Sequence, residues 1–335
     1  MSKVLAHSLA VQRQLVLYLA NGELCSGEWL GQQLGISRAA IAKHLEQLES
    51  YGLDLYKIKG KGYRLAEPLQ LLDAAQIKQQ QLWAAPVWVQ SVTDSTNSQL
   101  LHRLSEGQQL EAGTVLVAEA QTAGRGRRGK SWLSPFGANL YFSMYWPLEQ
   151  GIQAAMGLSL VIGVAVAKTL EQLFQLPVQL KWPNDIYLDG KKLGGILVEL
   201  AGQSHSQCDA VIGLGLNIRV PPHLQALIDQ PFVALQSVLA TRPDRNQLVV
   251  VLQQQLVSQL QLFNETGFAP FAAEFSQRDL FAGQQVRLSC VKQQIVGICC
   301  GVDERGALLL ESDGQRQSYY GGELSLRRMP DAAAD

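Results

Sequence analysis

The sequence predicts a multidomain α+β protein, and three observations lead to this fold class. The chain has 335 residues, more than a single hydrophobic core usually organises. Apolar residues make up 47% and charged residues 17%, which is the balance of a globular protein. Helical apolar spacing dominates the N-terminal segment, whereas short alternating runs typical of β-strands dominate from Phe271 onward. We therefore expect three domains, at residues 1–66, 67–270 and 271–335.

Composition also argues against a membrane protein, a secreted protein and a metalloprotein. No stretch stays apolar for the ~20 residues that a membrane span requires, and the N-terminus lacks the apolar segment of a secretory signal. The cysteines are odd in number and scattered: Cys25, Cys208, Cys290, Cys299 and Cys300. Reduced thiols in the cytoplasm fit this pattern best, so we expect a cytoplasmic protein with no membrane partner. The five histidines form no cluster, and we expect no dedicated metal site.

Turn and capping residues divide the N-terminal domain into short helices and a hairpin. The first apolar helical pattern ends at Asn21-Gly22, a pair that favours chain reversal. A second helix is predicted at residues 26–34, and Gly35 then supplies a tight turn before Ser37, a suitable N-cap for a third helix. Residues 55–65 predict a small hairpin with a lysine-rich turn. This order of elements is a winged helix-turn-helix.

Charge and position together favour DNA as the partner of this domain. Residues 1–65 hold eight Lys or Arg against five Asp or Glu, whereas the rest of the chain has a net charge of -4. The third helix can enter a major groove while the hairpin meets phosphate beside it. The candidate contacts are Ser37, Arg38, Ala39 and Lys43 in the helix and Lys59 and Lys61 in the hairpin. The alternative is a three-helix protein-interaction domain, whose solvated face would also carry Lys and Arg.

We place the connection between the first two domains just after the hairpin. Glu67-Pro68 closes the hairpin. The stretch at residues 71–82 looks helical, but it is rich in glutamine and offers few packing positions. The linker is therefore expected here.

The most informative segment is the Gly/Arg loop at residues 121–132, with the sequence QTAGRGRRGKSW. It matches the P-loop and dinucleotide-binding patterns literally, but both mechanisms need a helix directly after the glycines. Pro135 and Gly137 follow so soon after the glycines that we expect no helix there. The glycines leave the backbone free and the guanidiniums offer bidentate hydrogen bonds to phosphate or carboxylate. We expect the loop to close over an anion and to be disordered when empty, with nonspecific nucleic-acid binding as the alternative.

Four further polar motifs accompany this loop. They are TDSTN at residues 93–97, KWPND at 181–185, KKLGGILVE at 191–199 and GLGLN at 213–217. Each alone could be a turn, a helix cap or a strand end. Lys192 could be an exposed lysine, but it could also neutralise a substrate carboxylate beside a phosphate.

Together and in this order, these segments resemble the biotin protein ligases, and the N-terminal domain makes the resemblance specific to the ligases that also repress the biotin operon. The resemblance covers nearly the whole chain. Its most specific parts are residues 124–129, 134–141, 181–185 and 321–323. It implies a central ligase domain on a mixed sheet like that of class II synthetases, and an SH3-like β-barrel at the C-terminus. One departure is that Lys130 and Ser131 stand where arginine and lysine are common in the family.

The resemblance also assigns residues to roles. Those implied to bind biotin are Ser95, Thr96, Asn97, Gln121, Arg125, Gly126, Arg127 and Lys192. Those implied to line the site of ATP and the adenylate are Arg127, Trp132, Asn184 and Asn217. Those implied to act in catalysis are Lys192, Arg125, Arg127 and Asp185.

The function implied by the resemblance has two parts. The protein would activate biotin with ATP, with Mg²⁺ arriving on the nucleotide, and transfer it from biotinoyl-5'-AMP to a lysine of the biotin carboxyl carrier protein of acetyl-CoA carboxylase. With biotinoyl-AMP bound, it would form a homodimer on operator DNA and repress biotin biosynthesis genes. Two alternatives stay open: a ligand-sensing transcription regulator without ligase activity, and a lipoate ligase-like enzyme.

Overall fold

Three groups of secondary-structure elements follow one another in the computed structural model, which describes residues 3–148, 157–202, 208–289, 294–320 and 325–328. An N-terminal helical group precedes a central mixed sheet, and an antiparallel sheet follows. The predicted multidomain α+β fold class is confirmed. Among the helices in these ranges, none combines the length and apolar character that crossing a membrane requires.

The N-terminal group is the predicted winged helix-turn-helix. Its elements are α1 (Lys3–Leu19), α2 (Gly27–Leu34), α3 (Arg38–Ser50), β1 (Leu55–Ile58) and β2 (Gly62–Leu65). Gly35 ends α2 with a φ of +66°, a conformation that glycine adopts without strain. The Ser37 hydroxyl then accepts a hydrogen bond from Ala40 N at 3.2 Å and caps α3. The strands β1 and β2 pair antiparallel as the wing.

The core of this N-terminal group extends into the central domain. Leu15, Leu30 and Ile41, one from each helix, are fully buried against one another. Ala120 and Phe136 of the central domain belong to the same apolar cluster. The winged helix-turn-helix therefore packs on the central domain through shared apolar contacts.

The connection between these domains is bound to the central domain by buried polar groups. Leu72 is fully buried, and its backbone N donates to Glu119 Oε1 at 2.6 Å. Glu119 also forms an ion pair of 2.8 Å with Arg245, and the two side chains are 0% and 5% exposed. Arg245 in turn donates to the carbonyl of Gln70 at 2.6 Å. The glutamine-rich stretch holds a helix, α4 (Ala74–Gln80), in which Ile77 is buried.

The central domain is a mixed sheet covered by helices. Its strands are β3 (Val87–Thr93), β4 (Val115–Gln121), β5 (Leu140–Leu148), β6 (Gln179–Lys181), β7 (Asp185–Leu188), β8 (Lys191–Ala201) and β9 (Cys208–Leu216). They lie in the order β3-β4-β5-β9-β8-β7-β6; β3 and β4 are parallel, and the remaining pairs are antiparallel. The helices are α5 (Thr96–Ser105), α6 (Leu158–Phe174), α7 (Arg245–Thr266) and α8 (Ala272–Arg278).

These helices lie on two faces of the sheet. Helices α6 and α7 pack on one face and contribute many of the residues of the large apolar core. Helix α5 packs on the other face, where Leu100 contacts Leu116 and Val211. Because side chains alternate along a strand, both faces of β4 and β9 are buried in this arrangement. The start of α5 then lies beside the ends of several strands.

The C-terminal group is an antiparallel sheet. Its strands are β10 (Gln285–Ser289), β11 (Gln294–Val302), β12 (Leu308–Ser312), β13 (Gln315–Tyr319) and β14 (Ser325–Arg328), and they lie in the order β13-β12-β11-β10-β14. The short alternating runs predicted from Phe271 onward correspond to strands of this sheet. The motif at residues 321–323 lies outside the described residues.

Candidate functional site

A cavity of about 500 Å³ opens between the start of α5, the Gly/Arg loop and strands β7 to β9. The predicted site residues that line it are Ser95, Thr96, Asn97, Gln121, Arg125, Gly126, Arg127, Trp132, Asn184, Asp185 and Lys192. The structure thus brings together residues that are up to 97 positions apart in the chain. Asn217 is the one predicted ligand-site residue that does not line the cavity.

One end of the cavity is a polar floor of buried side chains. Thr96 donates to Gln121 Oε1 from both its backbone N, at 2.9 Å, and its hydroxyl, at 3.1 Å. The Ser143 hydroxyl donates to Asn97 Oδ1 at 2.6 Å. Ser95 caps α5 by accepting from Ser98 N at 3.4 Å. Such fixed, uncharged donors and acceptors can bind a small polar group that carries no net charge.

Glycine is required where Asn97 meets strand β9. A Cβ atom at Gly213 would lie 2.5 Å from Asn97 Oδ1, closer than real Cβ contacts allow. The Asn97 amide also donates from Nδ2 to Glu199 Oε2 at 2.8 Å and to the Leu197 carbonyl at 3.2 Å. The absence of a side chain at Gly213 therefore lets this amide reach its partners on β8.

The Gly/Arg loop folds back on itself without forming an α-helix. Trp132 N donates to the Gly124 carbonyl at 2.8 Å, and Gly126 N donates to the Lys130 carbonyl at 2.7 Å. A single 3-10 turn at Arg127–Gly129 is the only helical segment before β5 in this described stretch. The P-loop and dinucleotide-binding interpretations were therefore rightly rejected, because no helix N-terminus follows the glycines to hold phosphate.

The two loop arginines predicted to act contact different elements around the cavity. Arg125 Nη2 lies 3.0 Å from both carboxylate oxygens of Glu199, and Nη1 donates to the Ser98 hydroxyl at 2.6 Å. Arg127 Nη1 donates to Asn184 Oδ1 at 3.1 Å. Burial lowers the pKa of the Arg127 guanidinium and so does the neighbouring positive charge of Arg128, whereas Asp185 acts in the opposite direction.

A charged pair forms another part of the cavity lining. Lys192 Nζ lies 2.8 Å from Asp185 Oδ1, and the two side chains are only 14% and 19% exposed. The ammonium also lies 5.7 Å from the centre of the Trp132 ring. Half-buried charges interact more strongly than exposed ones, so this part of the cavity suits an anionic substrate group.

Gly215 makes room for the ring of Trp132, which also contacts the strand at Gly195. A Cβ atom at Gly215 would lie 2.4 Å from Trp132 Cε2, and one at Gly195 would lie 3.4 Å from Cζ3. The flat ring therefore rests directly on the backbone of strands β8 and β9.

The structure places Asn217 outside the cavity lining, and it brings to the site other residues that sequence reasoning missed. Asn217 Nδ2 donates to the carbonyls of Lys192, at 3.4 Å, and Val233, at 3.3 Å, so its amide fixes the backbone that carries Lys192. Glu199 and Ser98 were given no role, although Glu199 ends the motif at residues 191–199 and its position there was the available signal. The segment at residues 229–231 also lines the cavity, and no motif indicated it.

The predicted DNA contacts are exposed on one domain. Ser37, Arg38, Ala39 and Lys43 are exposed at the N-terminal end of α3, and Lys59 and Lys61 are exposed in the turn of the wing. Lys57, by contrast, is paired with Glu49 at 2.6 Å. The structure thus leaves the six candidate side chains available to a partner.

Comparison with known proteins identifies the family. The models described as "Biotin/lipoate A/B protein ligase family", "HTH domain" and "Biotin protein ligase C terminal domain" match residues 89–217, 11–64 and 281–327. The bifunctional ligase/repressor BirA of Escherichia coli is 47% identical over 317 residues, which are 95% of this chain and 97% of that protein. This chain is a biotin protein ligase. The BirA of Salmonella typhimurium is similar as well, at 48% identity over 93% of this chain and 96% of that protein.

Solved structures agree with this membership of the biotin protein ligases. A biotin protein ligase from Aquifex aeolicus in complex with biotin and ATP matches with a TM-score of 0.64 and 30% identity, covering 72% of this chain and 99% of that one. The helix-turn-helix match places this biotin protein ligase among those with a repressor domain.

In the described part of the chain, no group of three or more His, Cys, Asp or Glu side chains could hold a metal ion.

Proposed function

We propose that this biotin protein ligase joins biotin to ATP, forms biotinoyl-5'-AMP, and transfers the biotinoyl group to a lysine of the biotin carboxyl carrier protein. One observation carries the proposal: a single cavity contains an uncharged polar floor, an arginine-bearing loop and a half-buried Lys192–Asp185 pair. The relatives named as biotin ligases and the Aquifex structure with biotin and ATP support the choice of substrates.

The polar floor is the proposed site of the uncharged ring system of biotin. Ser95, Thr96, Asn97 and Gln121 are buried or half-buried there and supply fixed hydrogen-bonding groups. Arg125 and Gly126 would cover the ligand from the loop. The biotin side chain would then extend toward Lys192, which lies in the charged part of the cavity.

The charged part of the cavity is the proposed site of the reacting carboxylate and the ATP phosphates. Lys192 and Arg127 would offset the negative charges that meet there. Trp132 and Asn184 would line the nucleotide site, and Asn217 would act through the backbone of Lys192. Asp185 and Asn184 supply oxygen atoms of the kind that Mg²⁺ uses when ATP provides most of its other ligands. Held there, Mg²⁺ would supply further positive charge beside the phosphates.

The reaction has two steps. In the first, a biotin carboxylate oxygen attacks the α-phosphate of ATP, a P–O bond forms, and the bond to pyrophosphate breaks. In the second, the neutral amine of the carrier lysine attacks the activated carbonyl, an amide forms, and AMP leaves while the amine loses a proton. Positioned cations stabilise the charge that develops in both steps, and closure of the loop excludes water from the mixed anhydride. Asp185 is a candidate charge partner for the incoming amine.

We further propose that the bound adenylate controls repression. A homodimer formed with biotinoyl-AMP would present two winged helix-turn-helix domains to paired operator half-sites. The exposed residues Arg38, Lys43, Lys59 and Lys61 support a DNA-facing role. Equal affinity for operator DNA with and without biotinoyl-AMP would refute this part of the proposal.

Exchange of labelled pyrophosphate into ATP tests the ligase activity directly. The purified chain should support exchange when biotin is present and show little without it or with lipoate in its place. Arg125→Ala should lower the rate, and undiminished exchange would contradict the role of Arg125. Arg305→Ala is a matched control, because Arg305 lies in the turn between β11 and β12, outside the cavity lining.

A further inference from the structure

Glu199 contacts both the polar floor and the Gly/Arg loop. Its Oε2 accepts from Asn97 Nδ2 at 2.8 Å, and both of its oxygens lie 3.0 Å from Arg125 Nη2. The carboxylate is 29% exposed and lies on β8, just beyond the residues that line the cavity. One acidic side chain therefore joins the floor of the cavity to its cover.

The same contact fixes the orientation of the Asn97 amide. A carboxylate only accepts hydrogen bonds, so it must face the NH₂ group of asparagine. The carbonyl oxygen of Asn97 then faces the Ser143 hydroxyl, which donates to it at 2.6 Å. Glu199, together with the Leu197 carbonyl that accepts from the same Nδ2 at 3.2 Å, thus determines where the floor presents a donor and where it presents an acceptor.

Arg125 is held by a hydrogen bond to Ser98 as well as by the charge of Glu199. Its Nη1 donates to the Ser98 hydroxyl at 2.6 Å, so the guanidinium connects α5 with β8. Both elements belong to the rigid frame of the cavity, whereas Arg125 belongs to the loop. The ion pair is therefore an attachment point for the loop at the end of the cavity where the polar floor lies.

We infer that Glu199 is a positioning residue for the ligase reaction, which orients Asn97 and holds Arg125 over the bound acyl adenylate. The inference rests on the proposed function. Glu199 does not touch the reacting atoms, and it acts through two residues that do contact ligand in that proposal. Since the side chains of the pair are 42% and 29% exposed, solvent weakens the attraction, and the effect is moderate and sensitive to salt.

Two substitutions separate the two contacts. In Glu199→Gln, the amide oxygen can still accept from Asn97 Nδ2 and from Arg125 Nη2, but the negative charge is lost and the amide NH₂ takes the place of the other oxygen, where it would face the Arg125 guanidinium as one donor against another. Glu199→Ala removes both contacts. The glutamine variant is close in shape to the original side chain, so it tests the charge with little change in packing.

The test measures how fast preformed biotinoyl-AMP dissociates from the full-length chain, together with KM for biotin and for ATP in the exchange assay. Glu199→Gln should raise the dissociation rate about three- to tenfold, and less at high salt. Glu199→Ala should raise it further and also raise KM for biotin, while KM for ATP stays the same in both. Glu171→Gln is the control, because it breaks an ion pair of 2.7 Å with Arg278 outside the cavity lining and should change none of the three values.

A double variant decides whether loss of the contact between Glu199 and Arg125 causes the faster dissociation of biotinoyl-AMP. If Glu199 acts through Arg125, adding Glu199→Gln to Arg125→Ala should not speed dissociation beyond Arg125→Ala alone. Independent, multiplying effects would overturn the inference, as would a wild-type dissociation rate in Glu199→Gln. A wild-type chain that makes no biotinoyl-AMP would instead overturn the proposed function on which the inference depends.

Discussion

The indole N–H of Trp182 donates to the carbonyl of Gly306 at 3.0 Å, and this bond joins the central domain to the C-terminal sheet. Trp182 is only 2% exposed and lies between Lys181 and the site residues Asn184 and Asp185. A second link is close by, since Leu280 N donates to the Leu180 carbonyl at 2.9 Å. The turn that carries two candidate nucleotide-binding residues is therefore held in place from the C-terminal domain.

Trp182→Phe should destabilise the fold and weaken ATP binding. The substitution leaves the Gly306 carbonyl buried without its donor and opens a small space. Trp146→Phe is a matched control, because the Trp146 indole nitrogen is buried without a hydrogen-bond partner among the described residues. In urea unfolding, Trp182→Phe should cost about 1 to 3 kcal/mol more than the control. KM for ATP should rise in Trp182→Phe alone, and equal effects of the two variants would contradict the anchoring role.

Lys192→Ala should lower the rate of biotin-dependent exchange by roughly 10²- to 10³-fold, because the removed ammonium offsets charge in the transition state. The neighbouring Lys191 is exposed, so Lys191→Ala should leave the rate nearly unchanged. The measurement is initial-rate exchange at saturating biotin and ATP. If the exchange rate of Lys192→Ala falls only slightly, as in Lys191→Ala, Lys192 is not a catalytic residue.

The Lys59→Ala, Lys61→Ala double variant should bind DNA less tightly and with weaker salt dependence. If each lysine contacts one phosphate, the slope of log K against log salt should become shallower by about two. Fluorescence anisotropy on one fixed duplex measures this slope. Lys78→Ala, which removes an exposed charge from α4 outside the winged domain, should keep the wild-type slope.

Asp279 should make stability depend on pH. Burial raises the pKa of this carboxyl, although hydrogen bonds from Phe281 N and the Cys299 thiol act to lower it. Because the folded pKa lies above the unfolded one, the stabilising contribution is complete below the ordinary carboxyl pKa and is lost as pH rises through the folded value. Asp279→Asn stays neutral, so its Tm should exceed that of the wild type at about pH 7 and approach it at about pH 4.

Thermal unfolding across this pH range tests the expectation for Asp279. Asp313→Asn is the control, since Asp313 is exposed and its positive φ of 52° suits asparagine. The control should follow the wild-type curve. If Asp279→Asn keeps the pH dependence of the wild type, other titratable groups must cause that dependence.

Short-range signals allowed the N-terminal domain to be predicted closely. The Ser37 cap, the tight turn at Gly35 and the hairpin at residues 55–65 all depend on neighbours within a few positions. Capping and turn formation are local events, so the residues that cause them are visible together in the sequence.

Contacts between distant residues could not be predicted in this way. Arg125 and Glu199 are separated by 74 positions, and Trp182 and Gly306 by 124. A polar residue at the end of a strand can bind a ligand or the backbone, and the sequence alone does not show that the Asn217 amide donates to the backbone carbonyls of Lys192 and Val233. Periodicity likewise does not reveal which remote carboxylate will accept a backbone N–H.

The Glu119–Arg245 ion pair holds the connecting segment on the ligase domain through the backbone of Gln70 and Leu72, and the winged domain itself packs there through shared apolar contacts. In a symmetric pair of chains, the distance between the two α3 helices would then be set by the packing of each winged domain on its ligase domain, and not by a flexible linker. DNA turns once in about 10 base pairs, so inserting about five between half-sites would place one on the opposite side of the duplex. Such a protein would bind its operator with an affinity that depends on the spacing of the half-sites as strongly as on their base sequence.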